Sequence, residues 1–185
     1  DPEEIYWRMG NMMKPDPALY FGCSTTFRPG GFHGTNAAFY SYWKGGELIR
    51  TNLNPDIYVH EDWYTVPRDR ECAQWSEPYQ DVGGAGADVW MSTYSVPFYE
   101  VDENGEQLLD ENGKKKFLGI VSVDIDLNRM QSIINSGHVY SSSYAVLYSP
   151  AGVPIVKWKS GENKFLSVSE SDMNEVLQKL YNGES

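Results

Sequence analysis

Trp75-Ser76-Glu77-Pro78-Tyr79-Gln80-Asp81-Val82-Gly83-Gly84, continued by Asp88-Val89-Trp90-Met91-Ser92-Thr93-Tyr94-Ser95-Val96-Pro97-Phe98-Tyr99, decides how the rest of the chain is read. Aromatic and β-branched residues stand on both sides of a glycine-rich segment, and glycine accepts the positive φ that a tight reversal needs. The pattern predicts strand, turn, strand. Aromatic residues in such a hairpin either fill its core or offer a small molecule stiff contact area with polar handles on Tyr and Trp. On the second reading Trp75, Tyr79 and Tyr94 are candidate ligand contacts.

Upstream, Ala37 to Trp43 and Glu47 to Leu53 flank Lys44-Gly45-Gly46 and predict a further hairpin, preceded by a strand from Leu19 to Phe27. Residues 2 to 13 open with Pro2, Glu3 and Glu4, a helix start, and place Ile5, Met9, Met12 and Met13 on one face. Asn54 to Gln74 is polar, holds Asp62-Trp63-Tyr64, and is long for a mere connection. Long structured connections over a sheet are frequently binding elements.

Downstream, Asp-Glu-Asn-Gly occurs at 102–105 and again at 110–113, between strands, and predicts a long solvated tip. A calcium loop is the sharper reading of these acids. It lacks the alternating oxygens and the terminal Glu of an EF-hand. Phe117 to Asp124 is apolar on both parities, as a central strand is, and ends on a carboxylate. Leu127, Met130, Ile133 and Ile134 form an apolar helical stripe stopped by Gly137. Tyr144 to Tyr148 and Val153 to Trp158 predict a last hairpin, and a last helix opens at Asp172.

Trp63-Tyr64, then Trp75-Ser76-Glu77-Pro78-Tyr79-Gln80-Asp81, then Thr93-Tyr94-Ser95-Val96-Pro97-Phe98-Tyr99, then Gly119-Ile120-Val121-Ser122-Val123-Asp124-Ile125-Asp126-Leu127 resemble, in this order, the Cache family of extracytoplasmic sensor domains. The resemblance is greatest to the double-Cache sensors of bacterial metal-dependent serine phosphatases, histidine kinases, diguanylate cyclases and chemoreceptors. It implies an α+β fold, PAS-like, with a five- to six-stranded antiparallel sheet flanked by helices. Residues 1–137 would form the membrane-distal ligand-binding module and 138–185 the start of a membrane-proximal one. It further implies a domain outside the cytoplasm, on a membrane-anchored protein with a cytoplasmic output, and it leaves a homodimer open.

Composition agrees with a folded domain: 41% hydrophobic and 14% aromatic residues in 185. A net charge of −11 argues against nucleic acid or anionic lipid as partner, since both are bound through Lys and Arg. No apolar run nears the roughly 18 residues of a membrane span, and no signal peptide is recognisable, so the sequence reads as the soluble part of a membrane sensor. Cys23 and Cys72 are compatible with one bridge closing about 49 residues, worth ~4 kcal/mol in the chain-entropy model, or equally with two free thiols.

Catalytic signals are missing. His33, His60 and His138 are scattered, no Gly-x-Ser-x-Gly elbow occurs, and Gly83-Gly84-Ala85-Gly86 lacks a following Gly-Lys-Ser/Thr. A ligand-binding sensor is thus expected, with neither metal nor cofactor. An interaction module without a ligand is the alternative, and a hydrolase a distant third.

In the amino-acid-binding branch of the Cache family, an Arg two residues before the Trp-Tyr pair holds the ligand carboxylate, while the Tyr of Pro-Tyr and the Asp of the last strand hold its ammonium. Carried over, Trp63, Tyr64, Tyr79 and Asp124 are present, and Glu61 stands at the Arg position. An acid repels a ligand carboxylate at contact. The resemblance therefore implies a site that favours an amine or other cation over an amino acid.

Overall fold

The computed structural model describes residues 1–80, 89–136, 144–149, 151–152 and 154–159. The glycine-rich stretch at 83–86, Gly137, His138 and the helix expected from Asp172 lie outside these residues. The chain divides into two compact units, Asp1–Asp126 and Leu127–Ser185.

The first unit opens with helix α1, Pro2–Met13, where the Asp1 side chain accepts from the Glu3 amide at 3.0 Å as its N-cap. Its buried residues are Tyr6, Met9, Gly10 and Met13, one turn apart, while Met12, expected on that face, is exposed. Strands β1, Tyr20–Phe27, β2, Ala38–Lys44, and β3, Glu47–Asn52, follow. Gly45 and Gly46, with φ of 61° and 85°, close the β2–β3 hairpin, a two-residue reversal that requires positive φ at both positions.

Two helices come next, α2, Pro55–Tyr58, and α3, Asp62–Arg70. Asn54 caps the first by accepting from the Asp56 amide at 3.0 Å, and Pro55 sits at its first position. Two short strands, β4, Gln74–Trp75, and β5, Tyr79–Gln80, lead to two long ones, β6, Trp90–Tyr99, and β7, Phe117–Asp126. All pairings are antiparallel, in the order β3-β2-β1-β7-β6-β4, and β5 also pairs with β6.

Helices pack on both faces of the sheet. Register places Cys23, Phe39, Val121 and Val123 on one face, where α1 packs Tyr6, Met9 and Met13 against Cys23 and Phe39. On the other, Ala38 and Ile120 pack against Tyr58 and Tyr64 from α2 and α3. Tyr58 Oη donates to the Phe27 carbonyl at 2.7 Å and ties α2 to the end of β1.

Between β6 and β7 the two Asp-Glu-Asn-Gly turns repeat one geometry. Asp102 Oδ1 accepts from the amides of Asn104 and Glu106 at 2.9 Å, and Asp110 Oδ1 accepts from those of Asn112 and Lys114 at 2.8 and 2.9 Å. These acids stabilise their own turns. Cys23 is buried and Cys72 exposed, and both are free thiols.

The second unit contains helix α4, Leu127–Ser136, and the antiparallel pair β8, Tyr144–Tyr148, and β9, Pro154–Lys159. Within the expected stripe of α4, Ile133 is 47% exposed. Among the described residues no helix is long and apolar enough to cross a membrane.

Candidate functional site

On the face covered by α2 and α3, the middle of the sheet is polar. Ser24 Oγ lies 2.9 Å from Thr26 Oγ1 and 2.7 Å from Ser122 Oγ, all three side chains buried. Asp124 continues this row on β7 at 5% exposure. A buried carboxylate must be hydrogen-bonded to be tolerated. Tyr40 Oη donates to Asp124 Oδ2 at 2.8 Å, and Thr93 Oγ1 donates to Oδ1 at 2.7 Å. Tyr79 Oη stands 2.7 Å from Thr93 Oγ1. The network thus runs from β5 through β6 and β7 to β2.

Above it lies a cavity of about 570 Å³. Its buried floor includes Ser24, Tyr40, Met91, Ser122 and Asp124, and its exposed rim includes Asn52, Asn54, Ile57 and Glu61. Tyr42, Tyr58, Trp63 and Tyr79 add aromatic walls. Small-molecule sites commonly have volumes of ~300 to 1,000 Å³ with aromatic walls and a few convergent polar groups. Among the described residues the lining carries two carboxylates, Asp124 and Glu61, and no Lys, Arg or His. Glu61 is the N-cap residue of α3, and its side chain makes no capping hydrogen bond.

Of the seven residues singled out from the sequence, Glu61, Trp63, Tyr79 and Asp124 come together around this cavity. Tyr64 does not line it: at 1% exposure it packs its ring on Tyr58 and Phe117, 5.1 and 5.7 Å between centroids. Burial pushes its phenol up to about 12. Trp75 and Tyr94 do not line the cavity either.

The reason is a bulge. Trp75 pairs with Tyr94 and Tyr79 with Met91, so four steps on one strand match three on the other, and the extra residue reverses the parity. Ser76 pins this kink: its amide donates to the Thr93 carbonyl at 2.8 Å, and its Oγ accepts from the Thr93 amide at 2.9 Å. Tyr79 is turned into the cavity, while Trp75 and Tyr94 pack against each other on the opposite face, centroids 5.0 Å apart and ring planes tilted by 46°.

Tyr40 and Thr93 were not foreseen from sequence. The available signal is a run of small polar residues at one parity in otherwise apolar strands, with Gly22, Ser24 and Thr26 on β1 and Ser122 and Asp124 on β7. Among the described residues no group of three or more His, Cys, Asp or Glu could hold a metal.

The family model described as methyl-accepting chemotaxis protein-like, first PDC sensor domain, matches residues 9–107. Among solved structures, the extracellular domain of mmHK1S-Z3, described as a histidine kinase, shares 19% identity and a TM-score of 0.70 over 99% of this chain. This chain spans 66% of that one, just under two thirds. Methyl-accepting chemotaxis protein X gives 16% identity and a TM-score of 0.69, covering 99% of this chain and 67% of its own. The ligand-binding domain of the Campylobacter jejuni chemoreceptor Tlp3, solved in complex with L-valine, gives 14% identity and a TM-score of 0.53 over 85% of this chain and 53% of its own. These are sensor and ligand-binding domains, not catalytic ones. No curated protein matches the chain.

Proposed function

The chain belongs to the family of first PDC sensor domains of the methyl-accepting chemotaxis protein type, and from that premise we propose that it binds a small amine or other organic cation in the cavity above Asp124. The observation that carries the ligand class is the charge of the lining: Asp124 at the floor, Glu61 at the rim, and no cationic side chain among the described residues. A carboxylate gives an ammonium charge-assisted hydrogen bonds, and an aromatic face adds ~0.5 to 2 kcal/mol through its quadrupole. A ligand carboxylate would find no counter-charge there. That separates this chain from the L-valine complex of the Tlp3 domain.

Membership in this family supports a position outside the cytoplasm, on a membrane-anchored receptor whose occupancy is passed to a cytoplasmic output. That output is one of the kinds the sequence resemblance implies: a chemotaxis, kinase, cyclase or phosphatase domain. A homodimer is the proposed assembly.

Calorimetric titration with n-butylamine tests the ligand class. Binding should weaken by roughly 1.5 to 3 kcal/mol in Asp124→Asn, the worth of a hydrogen bond to a charged group. Tight binding of a carboxylate that carries no amine, unchanged by that substitution, would overturn it. The second reading, an interaction module without a ligand, is favoured by the exposed Trp75, Trp90, Val96 and Val121. A flat thermal-shift screen across amines, carboxylates and sugars would move the conclusion to it, because a ligand at 100 times its Kd adds ~2.7 kcal/mol to the native state.

A further inference from the structure

The polar and the apolar parts of the cavity lining come from different elements. Ser24 and Ser122 belong to β1 and β7, whereas Leu53, Ile57, Tyr58 and Trp63 come from the one segment that carries α2 and the start of α3. Of the polar lining residues in that segment, Asn54 uses its side-chain oxygen to cap α2, and Glu61 lies on the exposed rim. One wall of the cavity is therefore largely hydrocarbon and aromatic ring.

Ile57 differs from the rest of this wall. Tyr58 beside it is 2% exposed, and Leu53 and Trp63 are half-buried, but Ile57 is 59% exposed. Its backbone is anchored on both sides: the Leu53 amide donates to the Ala38 carbonyl at 2.8 Å, and Tyr58 Oη donates to the Phe27 carbonyl at 2.7 Å. Within the turn, the Ile57 amide donates to the Asn54 carbonyl and the Ile57 carbonyl accepts from the His60 amide, both at 3.1 Å. An anchored segment thus holds an apolar side chain in water at the cavity mouth. A ligand group that covers it removes apolar surface from water, which favours binding.

Size points the same way. An ammonium group is close to a water molecule in size, and the cavity's 570 Å³ is many times the ~30 Å³ share of one water. The remainder of a ligand that fills this space lies against the wall formed by residues 53–63, where hydrocarbon is the matching chemistry.

Resting on the amine reading above, we propose that the ligand is an amine with a hydrocarbon tail of several carbons, and that Ile57 is the residue that selects for the tail. The tail lies along Leu53 and Trp63 and ends against Ile57. Recognition of the tail is then separable from recognition of the head.

Calorimetric titration with ethylamine, n-butylamine and n-hexylamine tests this, with n-hexanol as the same tail without the charge. In the wild type each added methylene should tighten binding about threefold. Ile57→Ala should weaken n-hexylamine by about fivefold and ethylamine by less than about twofold. Because Ile57 lies outside the core, the ligand-free variant should unfold at the wild-type temperature. The Ile57 δ1-methyl NMR resonance should shift with n-hexylamine and stay in place with ethylamine.

Affinity that does not rise with chain length, an equal loss for both amines in Ile57→Ala, or a methyl resonance indifferent to n-hexylamine would each overturn the assignment. If the amines fail to bind the wild type while n-hexanol binds and is weakened by Ile57→Ala, the amine reading falls and the tail site stands. If the amines and n-hexanol all fail to bind, both fall.

Discussion

Thr93 lies directly opposite Asp124 in the ladder between β6 and β7, and its hydroxyl donates to Asp124 Oδ1 at 2.7 Å. The pair joins the two longest strands at the floor of the cavity, and Tyr79 joins β5 to it through the same hydroxyl. Thr93→Val keeps the shape and deletes that oxygen. Tyr79 and Asp124 would each lose a partner at a site where Thr93 is 1% exposed. A neutral bond and a bond to a charge together are worth about 2 to 4 kcal/mol. Urea unfolding should report a loss of that size, and an unchanged midpoint would show that the network contributes nothing to the fold.

Cys23 is buried beneath α1 with its Sγ 3.1 Å from Met13 Sδ, and loss of hydration, with a smaller contribution from the charge of Asp124, pushes its thiol up to about 12. The neutral form is the one the fold favours. Unfolded thiols lose their proton near pH 9 while the native one keeps it. The stabilisation is therefore complete below about pH 9 and declines by about 1.4 kcal/mol per pH unit as pH rises toward 12. Tyr64, also raised to about 12 by burial, acts in the same direction above pH 10. Urea midpoints should fall between pH 9 and 10 in the wild type and fall less over that interval in Cys23→Ala, where only the raised tyrosines Tyr6, Tyr58, Tyr64 and Tyr99 still act. A thiol reagent at pH 8 should label the exposed Cys72 in the native protein and reach Cys23 only on unfolding.

Gly119 sits where β7 meets β1 and β6, opposite Phe27 and Phe98. A Cβ there would overlap the Thr26 carbonyl oxygen and approach Phe98 Cζ to 2.6 Å. The ring can move; the carbonyl belongs to the ladder and cannot. Gly119→Ala should cost about 1 to 3 kcal/mol in denaturant unfolding, and adding Phe98→Leu should not restore it. Full recovery in that double variant would assign the strain to the ring instead.

The strands themselves were legible: β-branched and aromatic residues mark Leu19 to Phe27, glycines mark the Gly45-Gly46 hairpin, and a run apolar on both parities marks Phe117 to Asp124, and the strands observed are Tyr20–Phe27 and Phe117–Asp126. The antiparallel sheet flanked by helices, expected from the resemblance, is the one observed. Which aromatic residue faces the cavity was not legible. Trp75 and Tyr79 look equivalent in a continuous strand, and the bulge at Ser76-Glu77-Pro78 that separates them has no signature beyond a proline. Tyr40 was hidden for another reason: it stands two strands from Asp124, and only register brings the two together.

Glu61 supplies the sharpest test of how the lining sets the ligand class. It stands two residues before Trp63, the position at which amino-acid-binding Cache domains carry the Arg that holds the ligand carboxylate, and here it lies on the exposed rim of the cavity. Glu61→Arg replaces an attractive charge for an ammonium by a repulsive one and adds a two-pronged donor for a carboxylate. Two effects limit the gain: an exposed pair is worth only ~0.2 to 1 kcal/mol before its geometry is counted, and a cation at the N-terminus of α3 opposes the helix dipole by ~0.3 to 1 kcal/mol. Bidentate hydrogen bonding to a charged ligand, at ~1.5 to 3 kcal/mol, exceeds both. The variant should therefore bind L-valine at least about fivefold more tightly than the wild type does, and n-butylamine more weakly, with both changes diminishing as salt is raised. If calorimetry shows the amine weakened and valine no tighter, the rim charge acts on the ligand only at a distance; if neither moves, the Glu61 side chain takes no part in recognition.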